Sequence, residues 1–460
     1  MNDPAPDLAI ASTPSTDVTK HCYAVIVIGA GIAGLTAAEK LIDANQDVLL
    51  LESRDRIGGR IDTNYSWGEP IELGASWLHG SEVNPAKHLF RPNQLVTNSY
   101  HVDDSDGMLG DFALYDQKGQ KIASHEISEF KSLIKDFLHS METTNPELDF
   151  DMAFNNYAIS QKLSDRQEAL LYYALQNIYT YEYAESLKKL GFASEEPYIN
   201  TTCDGKNALV VGGFVTILEE KSKKIPILFH QGVRRIDYSG NVIHVDTDKG
   251  HFQAKKVLIT VPLGVLKANK IQFSPNLPIE KQQAIRQLEM GIYDKLYLKF
   301  DHVFWDRGHE WIGLLPKQKE YGFNIFNFYK YTMQPILLVF ISGQLAHEKG
   351  RESLTSWAMK HLRTLYGNDI PEPTSTMQTN WADDPNTLGS YSYLPYQYDA
   401  GLYQIMANPV TEKLFFAGEA TSTTDPSTIH GAYLSGLRAA DEILSSKTAM
   451  GSTDSSLSTL

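Results

Sequence analysis

The sequence predicts an α/β fold, α+β overall, in which segments from both ends of the chain share one parallel sheet. Apolar runs at 25–28, 48–51 and 414–416 have the length of buried strands. Each run leads directly into a glycine or an acidic residue, and the first is followed by a helical pattern. Since almost the whole chain separates the third run from the others, we expect a discontinuous domain.

The first strand ends in a glycine-rich loop with the residues Gly29, Gly31 and Gly34. In a strand, loop and helix of this kind, the first glycine permits a tight turn and the second lets a pyrophosphate approach. The third glycine lets the helix pack close to the strand, and the helix start offers free N–H groups to phosphates. The loop therefore predicts a cofactor that contains ADP.

The second strand ends at Glu52. A carboxylate at this position accepts hydrogen bonds from ribose hydroxyls and would repel a 2'-phosphate. We therefore expect an ADP-ribose moiety without that phosphate.

The remaining sequence patterns predict the helices and strands between residues 126 and 444. Helical periodicity covers 126–190, short strands follow at 227–229, 233–238, 242–247, 252–253 and 256–262, further strands lie at 297–300 and 336–340, and a last helix covers 430–444. We predict a nucleotide-binding domain built from 21–90, 206–270 and 405–445, and a substrate-binding domain built from 91–205 and 271–404. Residues 1–20 are predicted to be a disordered tail and 446–460 a flexible one.

Composition limits the possible partners. The chain has 460 residues, with 56 acidic against 41 basic residues and a net charge of −15. This balance argues against binding to nucleic acid and would attract small cations, although it equally serves solubility. No apolar run reaches the ~18 to 20 residues of a membrane helix, so no membrane association is expected.

The two cysteines, Cys22 and Cys203, cannot form a disulfide framework. Neither has a cysteine or histidine nearby at the spacing of metal ligands, so no metal site is predicted. The N-terminus lacks the pattern of a signal peptide. A cytoplasmic location is the expectation.

Further motifs support a specific resemblance. They lie at 29–34, 52–60, 72–80, 261–267, 294–300, 389–393, 418–419 and 430–436. With these motifs the chain resembles the flavin-containing amine oxidase family, most closely its polyamine oxidase branch, from about residue 23 to 444. The resemblance implies a Rossmann-like FAD-binding domain of the glutathione-reductase/amine-oxidase type with an inserted substrate domain of mixed sheet and helices. Because no cysteine follows Cys203, it implies noncovalent FAD.

The resemblance also implies cofactor contacts beyond Gly29, Gly31, Gly34 and Glu52. It places Arg60 at the FAD phosphates, the backbones of Ser76 and Trp77 against the flavin, the backbone of Val233 at adenine, Tyr391 beside the flavin ring, Glu419 near the ribityl chain, and Thr428 and Ile429 at the isoalloxazine. The alternative for each of these side chains is a role in the structure alone, such as packing in the core for Trp77. At the position of Thr428 several family members carry an aromatic residue that completes a cage around the reacting amine. In this chain such a cage would have only one strong wall, Tyr391.

Lys295 matches the family lysine that holds a water at flavin N5. Partial burial would lower its pKa and make it a useful base or oxygen-activating group. Lys295, Tyr297 and Lys299 alternate along one strand, so the alternative is a row of side chains that faces solvent.

For the substrate, the resemblance pairs Glu182 with an ammonium group and places Tyr183 and Tyr293 along the carbon chain. Cation–aromatic contacts of this kind contribute ~0.5 to 2 kcal/mol each. His79 would face one amine and, near neutral pH, could accept its hydrogen bond. The alternative for the tyrosine-rich segment is amphipathic packing.

The resemblance thus implies oxidation of a polyamine, either spermine or spermidine or an acetylated form. Hydride passes to flavin N5, the imine hydrolyses to an aldehyde and an amine, and O2 is reduced to H2O2. One alternative is an oxidase of an amino acid or of a specialised biosynthetic amine, which would need an arginine for a carboxylate. Another is a flavin-binding scaffold without turnover. The oligomeric state is not predicted.

Overall fold

The computed structural model describes residues 21–91, 93–101, 111–144, 147–317, 322–342, 345 and 351–446. The predicted tails therefore lie outside the described residues, except for Ser446. Within the described part of the chain, no helix combines the length and the apolar character that a membrane crossing requires.

The elements alternate between strands and helices along the chain. The strands are β1 (Cys22–Ile28), β2 (Val48–Leu51), β3 (Thr63–Asn64), β4 (Ile71–Glu72), β5 (Leu95–His101), β6 (Phe112–Tyr115), β7 (Lys206–Val210), β8 (Ile227–Leu228), β9 (Val233–Asp237), β10 (Ile243–Thr247), β11 (His251–Ile259), β12 (Gln272–Ser274), β13 (Glu289–Gly291), β14 (Tyr293–Lys299), β15 (Trp311–Leu314), β16 (Phe323–Asn327), β17 (Ile336–Ser342), β18 (Ser375–Gln378), β19 (Tyr391–Tyr393) and β20 (Leu414–Phe416). The α-helices are Ile32–Asp43, Ser124–Thr144, Phe150–Gln161, Asp165–Leu175, Tyr181–Tyr183, Val215–Ser222, Leu263–Lys267, Ile279–Gln287, Tyr329–Thr332, Arg351–Tyr366, Gly401–Ala407 and Ile429–Ser445. Shorter helical segments are the 3₁₀ turns Lys87–Leu89, Phe192–Tyr198 and Glu419–Thr421 and the π segment Gln176–Thr180. This content confirms the predicted α/β class.

The first large sheet holds strands from both ends of the chain, in the order β12-β9-β10-β11-β1-β2-β8, with β20 also paired to β11. Its strands β8, β2, β1, β11 and β20 run parallel. Their carboxyl ends therefore meet at one edge, where ligands of such sheets commonly bind. The glycine loop and Glu52 follow these ends directly, and Gly418 follows β20 after one alanine.

Strand β11 corrects one boundary of the sequence analysis, which expected two strands at 252–253 and 256–262. The structure has one strand, His251–Ile259. Its first half pairs antiparallel with β10, and its second half pairs parallel with β20. The burial pattern accordingly changes from alternating to continuous along the strand, which obscures a single period.

The second large sheet has the order β18-β14-β17-β16-β15-β6 and is antiparallel except for the pair β15 and β6. A cluster of buried apolar residues joins three helices, Ser124–Thr144, Phe150–Gln161 and Asp165–Leu175. Strand β14 is buried along most of its length. It carries Lys295 toward the first sheet.

The first and last helices pack against each other at their small residues. A Cβ added to Gly436 would lie 2.4 Å from the backbone oxygen of Ala33. Gly436 thus lets the helix Ile429–Ser445 approach the backbone of the helix Ile32–Asp43, which fixes the glycine loop against the segment before residue 429.

We predict that Gly436→Ala lowers the free energy of unfolding by about 1 to 3 kcal/mol, because the added methyl group overpacks this helix contact. Helix propensity alone predicts the opposite sign, a gain of about 1 kcal/mol. Thermal and urea unfolding measure the difference. Gly240→Ala is the control, since its Cβ would come no closer than 3.7 Å to another residue's backbone. A Gly436→Ala protein as stable as wild type would contradict the close approach.

Candidate active site

A cavity with about 1360 Å³ of empty space lies at the carboxyl edge of the parallel strands. Residues of the glycine loop line one part of it, and side chains from β14 and β19 line another. A smaller chamber of about 550 Å³ adjoins it. The two spaces share the lining residues Trp77, His79, Tyr181, Glu182 and Tyr293.

The glycine loop has the geometry that a phosphate group requires. Gly29 has a φ of +108°, and a Cβ on Gly34 would lie 2.0 Å from the oxygen of Gly29. Gly31 differs, because its Cβ would meet no atom closer than 3.9 Å, and it lines the cavity. The helix Ile32–Asp43 has no side-chain cap at its start. Its first N–H groups therefore fit the phosphates of a dinucleotide.

Glu52 and Val233 lie outside the lining of the cavity. The Glu52 carboxylate accepts hydrogen bonds from the N–H groups of Ala30 at 2.7 Å and Arg54 at 2.8 Å. The N–H of Gln231 donates to the backbone oxygen of Glu52, so the start of β9 lies beside it. The contacts of Glu52 with ribose and of Val233 with adenine stay predictions.

Arg60 and Glu419 line the cavity as an ion pair. Arg60 Nη1 donates to Glu419 Oε1 at 2.7 Å and to the backbone oxygen of Ser390 at 3.0 Å. The Glu419 carboxylate also accepts from Ser392 Oγ at 2.5 Å and from the Ser427 N–H at 3.0 Å. The pair therefore joins three segments of the wall that are distant in sequence.

Lys295 is almost completely buried, with 3% of its surface exposed, and it lines the cavity. Its Nζ donates to the backbone oxygen of Glu72 at 3.1 Å, to the backbone oxygen of Gly74 and to Ser76 Oγ. Burial lowers the pKa of the Lys295 ammonium, and the nearby Glu72 carboxylate partly opposes this effect.

The predicted alternative for this strand, a row of side chains facing solvent, does not hold. Tyr297 is fully buried and donates to the backbone oxygen of Glu72 at 2.7 Å. Lys299 lies at the end of the row, where its ammonium is 5.7 Å from the ring centre of Trp67. The physical reason is that the segment around Glu72 and Gly74 packs on this face of β14 and accepts hydrogen bonds from Lys295 and Tyr297.

The structure brings the predicted flavin contacts Ser76, Trp77, Tyr391, Thr428 and Ile429 to the same cavity. Thr428 has an additional role as the cap of the last helix. Its Oγ1 accepts the N–H of Gly431 at 2.9 Å and donates to the backbone oxygen of Asp425 at 2.8 Å. This capping favours threonine over an aromatic residue at the position.

Glu182, His79 and Tyr293 also meet at the junction of the two spaces. The Glu182 side chain is exposed, whereas His79 is partly buried. Burial lowers the pKa of His79, the Glu182 carboxylate opposes this, and His430 adds to it. A neutral imidazole beside a carboxylate can accept a hydrogen bond from an amine.

The structure does not bring Tyr183 to the lining of either space. Tyr183 is buried among the helices, where its ring lies 5.5 Å from that of Tyr198. Tyr181 lines the cavity instead, with its ring 6.2 Å from that of Tyr293. Tyr181 and Glu182 follow the π segment Gln176–Thr180 directly and line the cavity, whereas Tyr183 packs in the apolar cluster of the helices.

Besides Tyr181, two aromatic residues of the wall were not among the predicted site residues. Tyr198 lines the cavity and donates to Ser427 Oγ at 3.2 Å and to the backbone oxygen of Pro426 at 3.3 Å. Trp381 donates from Nε1 to the backbone oxygen of Leu73 at 3.1 Å. These contacts span more than 200 residues, so no local pattern indicates them.

Behind this wall, Cys203, Asp425 and His430 lie together, with their ligand-type atoms within 4.8 Å of one another. Sequence spacing did not indicate this proximity. Asp425 Oδ1 accepts hydrogen bonds from Thr201 Oγ1 at 2.7 Å and from the Thr202 N–H at 2.8 Å. Burial alone would lower the pKa of His430, but Asp425 and Cys203 raise it to about 9. His430 Nε2 lies 3.2 Å from Asp425 Oδ1 at the start of the last helix, the geometry of an ion pair when the imidazole is protonated.

Comparison with known proteins agrees with this geometry. Residues 32–444 match the model of a family described as flavin containing amine oxidoreductase. The chain is 35% identical to probable polyamine oxidase 4 of Arabidopsis thaliana over 90% of this chain and 86% of that protein. It is 35% identical to polyamine oxidase 3 of Oryza sativa subsp. japonica, over 92% of this chain and 89% of that protein.

Relatives of a second kind are longer, so the match covers a smaller share of their length. Lysine-specific histone demethylase 1 homolog 2 of Oryza sativa subsp. japonica is 31% identical over 95% of this chain but 59% of that protein. The family match, the polyamine oxidase relatives and the cavity beside the glycine loop lead to one assignment. This chain belongs to the flavin-containing amine oxidoreductase family and is an amine oxidase.

Proposed function

We propose that this chain is a polyamine oxidase that binds FAD noncovalently and uses O2 as electron acceptor. In the proposed reaction a secondary amine, O2 and water give an aldehyde, a smaller amine and H2O2. The observation that carries the proposal is the junction of the two spaces, where an exposed carboxylate, Glu182, meets Tyr181 and Tyr293. Similarity to plant polyamine oxidases supports it.

The flavin, when bound, supplies the acceptor for the hydride, with its two electrons, that leaves the carbon beside the amine nitrogen. The residues that would hold it are those of the glycine loop, Arg60, Ser76, Trp77 and Glu419. Noncovalent attachment is supported by the position of the cysteines, since neither Cys22 nor Cys203 lines the cavity.

The protein's own residues bind and orient the amine. The Glu182 carboxylate would pair with an ammonium group of the substrate, and the rings of Tyr181 and Tyr293 would contact the carbon chain. His79, whose pKa is lowered, would accept a hydrogen bond from an amine. Together these groups would hold a flexible cation with one nitrogen near the flavin.

The Nζ atom of Lys295 would hold a proton or bind a water molecule that carries the proton. Because burial lowers its pKa, a neutral amine is accessible at a lower pH than for an exposed lysine. The backbone oxygens of Glu72 and Gly74 fix Nζ in place. This arrangement supports a catalytic lysine over a purely structural one.

A carboxylate substrate fits the site less well. Among the residues described as lining the two spaces, the lysine and arginine residues are Lys295 and Arg60. Arg60 is paired with Glu419, and Lys295 is bonded to loop oxygens. We therefore favour a polyamine over an amino acid.

The purified protein is expected to carry FAD that acid precipitation releases into the supernatant. Under anaerobic conditions, spermine, spermidine or one of their acetylated forms should bleach the bound flavin. Admission of O2 should then restore its absorbance with one H2O2 formed per amine oxidised. A flavin that no amine in the panel bleaches would contradict the proposal and favour a scaffold.

Lys295→Met is expected to lower kcat by roughly 10²- to 10⁴-fold, because it removes a positioned proton-transfer group. Activity should rise with pH in the wild-type enzyme as Lys295 loses its proton, and the variant should lack this contribution to the profile. Lys299→Met is the matched control, two residues along the same strand and beside Trp67. Equal losses in both variants would contradict a specific role for Lys295.

Glu182→Gln is expected to lower kcat/KM for polyamines by roughly 10- to 100-fold, mainly through KM, because a charge-assisted hydrogen bond is worth about 1.5 to 3 kcal/mol. Steady-state kinetics measure this effect. Glu185→Gln is the control, since Glu185 pairs with Lys189 outside the cavity lining. An unchanged KM in Glu182→Gln would rule out the proposed ion pair.

A further inference from the structure

A buried carboxylate that has no role in the proposed reaction lies next to Lys295. It belongs to Glu72 at the end of β4, which is 6% exposed and lies outside the described lining of the cavity. We infer that Glu72 is a positioning residue whose carboxylate is the counter-ion of the Lys295 ammonium. Its effect on turnover rests on the proposed function, whereas the pairing of the two groups does not.

Backbone contacts hold Glu72 beside the lysine. Lys295 Nζ donates to the backbone oxygen of Glu72 at 3.1 Å. The Glu72 carboxylate therefore lies no farther from Nζ than this hydrogen bond and the length of one glutamate side chain. Tyr297, on the same strand, donates to the same oxygen at 2.7 Å. The two bonds fix the position of Glu72 on this face of β14.

Both side chains are shielded from water, since Lys295 is only 3% exposed. Burial lowers the pKa of the Lys295 ammonium and raises that of the Glu72 carboxyl, because it penalises each charged form. Each charge opposes this effect on the other group. Within the described residues, Glu72 is the charged group that acts on the ammonium. Removing one partner therefore leaves a buried charge without compensation, which is costly.

Two neutral donors orient the Glu72 carboxylate. Its Oε1 accepts the N–H of Phe214 at 2.7 Å, and its Oε2 accepts from Thr63 Oγ1 at 2.9 Å. Against the larger effect of burial, these bonds lower the pKa of the carboxyl, since they stabilise its charged form. Because neither donor carries a charge, they do not replace Lys295 as the counter-ion.

The other ionisable groups around Glu72 supply no free cation. The Asp62 carboxylate raises the pKa of the Glu72 carboxyl, and Arg56 Nη2 pairs with Asp62 Oδ2 at 2.8 Å. Burial raises the pKa of the Tyr65 hydroxyl to about 12, and it raises that of Tyr297 well above its usual range. Both tyrosines are therefore neutral near pH 7, and the lysine is the cation for this carboxylate.

The test in turnover is the pH profile of kcat with spermine for the FAD-loaded Glu72→Gln enzyme. Glutamine keeps an oxygen for the two donors but removes the charge, so Lys295 should lose its proton at a lower pH. We expect the rising limb to move to lower pH by about one unit or more. KM should stay unchanged, because Glu72 lies outside the described lining of the cavity.

Two further variants separate charge from the position of the loop. Glu72→Asp keeps the charge and should keep the limb near its wild-type pH. Tyr297→Phe is the matched control, since it removes the other bond to the Glu72 backbone oxygen and leaves both charges in place. Its limb should not move even if its kcat falls. An equal shift in Tyr297→Phe and Glu72→Gln would overturn the inference.

Urea unfolding tests the pairing without turnover. Lys295→Met and Glu72→Gln should each lower the midpoint, and the double variant should lose less than the sum of the two losses. If Glu72→Gln does not fold, Lys295→Met alone decides. Without the lysine the buried Glu72 carboxyl favours its protonated form, so the variant's loss of stability should grow as the pH rises. A loss that does not depend on pH would contradict the pairing.

The outcomes separate this inference from the proposed function. If the two stability losses add and the limb of Glu72→Gln stays in place, Glu72 is not the counter-ion. If the losses do not add but the limb stays, the pairing holds and its role in turnover is wrong. If no amine is oxidised, the proposed function fails, and the urea measurements still decide whether the two groups are paired.

Discussion

The architecture of the site depends on the contact between the Lys295 ammonium and the loop at 72–76. Lys295 belongs to the antiparallel sheet, whereas the loop is bonded to the backbone oxygen of Arg60, and the turn before Arg60 pairs with Gly31 of the glycine loop. Tyr297 and Trp381 bind the same loop through the backbone oxygens of Glu72 and Leu73. A buried amine with oxygen partners is costly to displace, so these contacts fix the position of one sheet's residues relative to the other.

The cavity has two parts, which different elements of the fold line. Residues of the glycine loop and the turn residue Gly58 form the part next to Gly31. Side chains from the antiparallel sheet and the helices form the part around Glu182. Relatives that carry the names polyamine oxidase and histone demethylase both match this chain. Under the proposed function, the part next to Gly31 holds the flavin and the side chains around Glu182 select the substrate.

Sequence patterns predicted the parts of the structure that depend on local order. The glycine loop and the strands that lead to Glu52 and Gly418 follow from short-range periodicity and glycine spacing, and the structure places them at one sheet edge. Tyr183 was selected through the resemblance, and the structure buries it among the helices while Tyr181 lines the cavity. The contacts of Tyr198 with Ser427 and of Asp425 with Thr201 join distant segments, so no spacing rule could indicate them.

The central claim is that one cavity holds the flavin at Gly31 and Lys295 and the amine at Glu182. A crystal structure of the FAD-loaded protein with an unreactive polyamine analogue tests it most directly. The account predicts phosphates at the start of the helix Ile32–Asp43, the flavin ring between Lys295 and Thr428, and an analogue nitrogen within hydrogen-bond distance of the Glu182 carboxylate. An analogue bound away from Glu182, or a flavin ring distant from Lys295, would contradict the account.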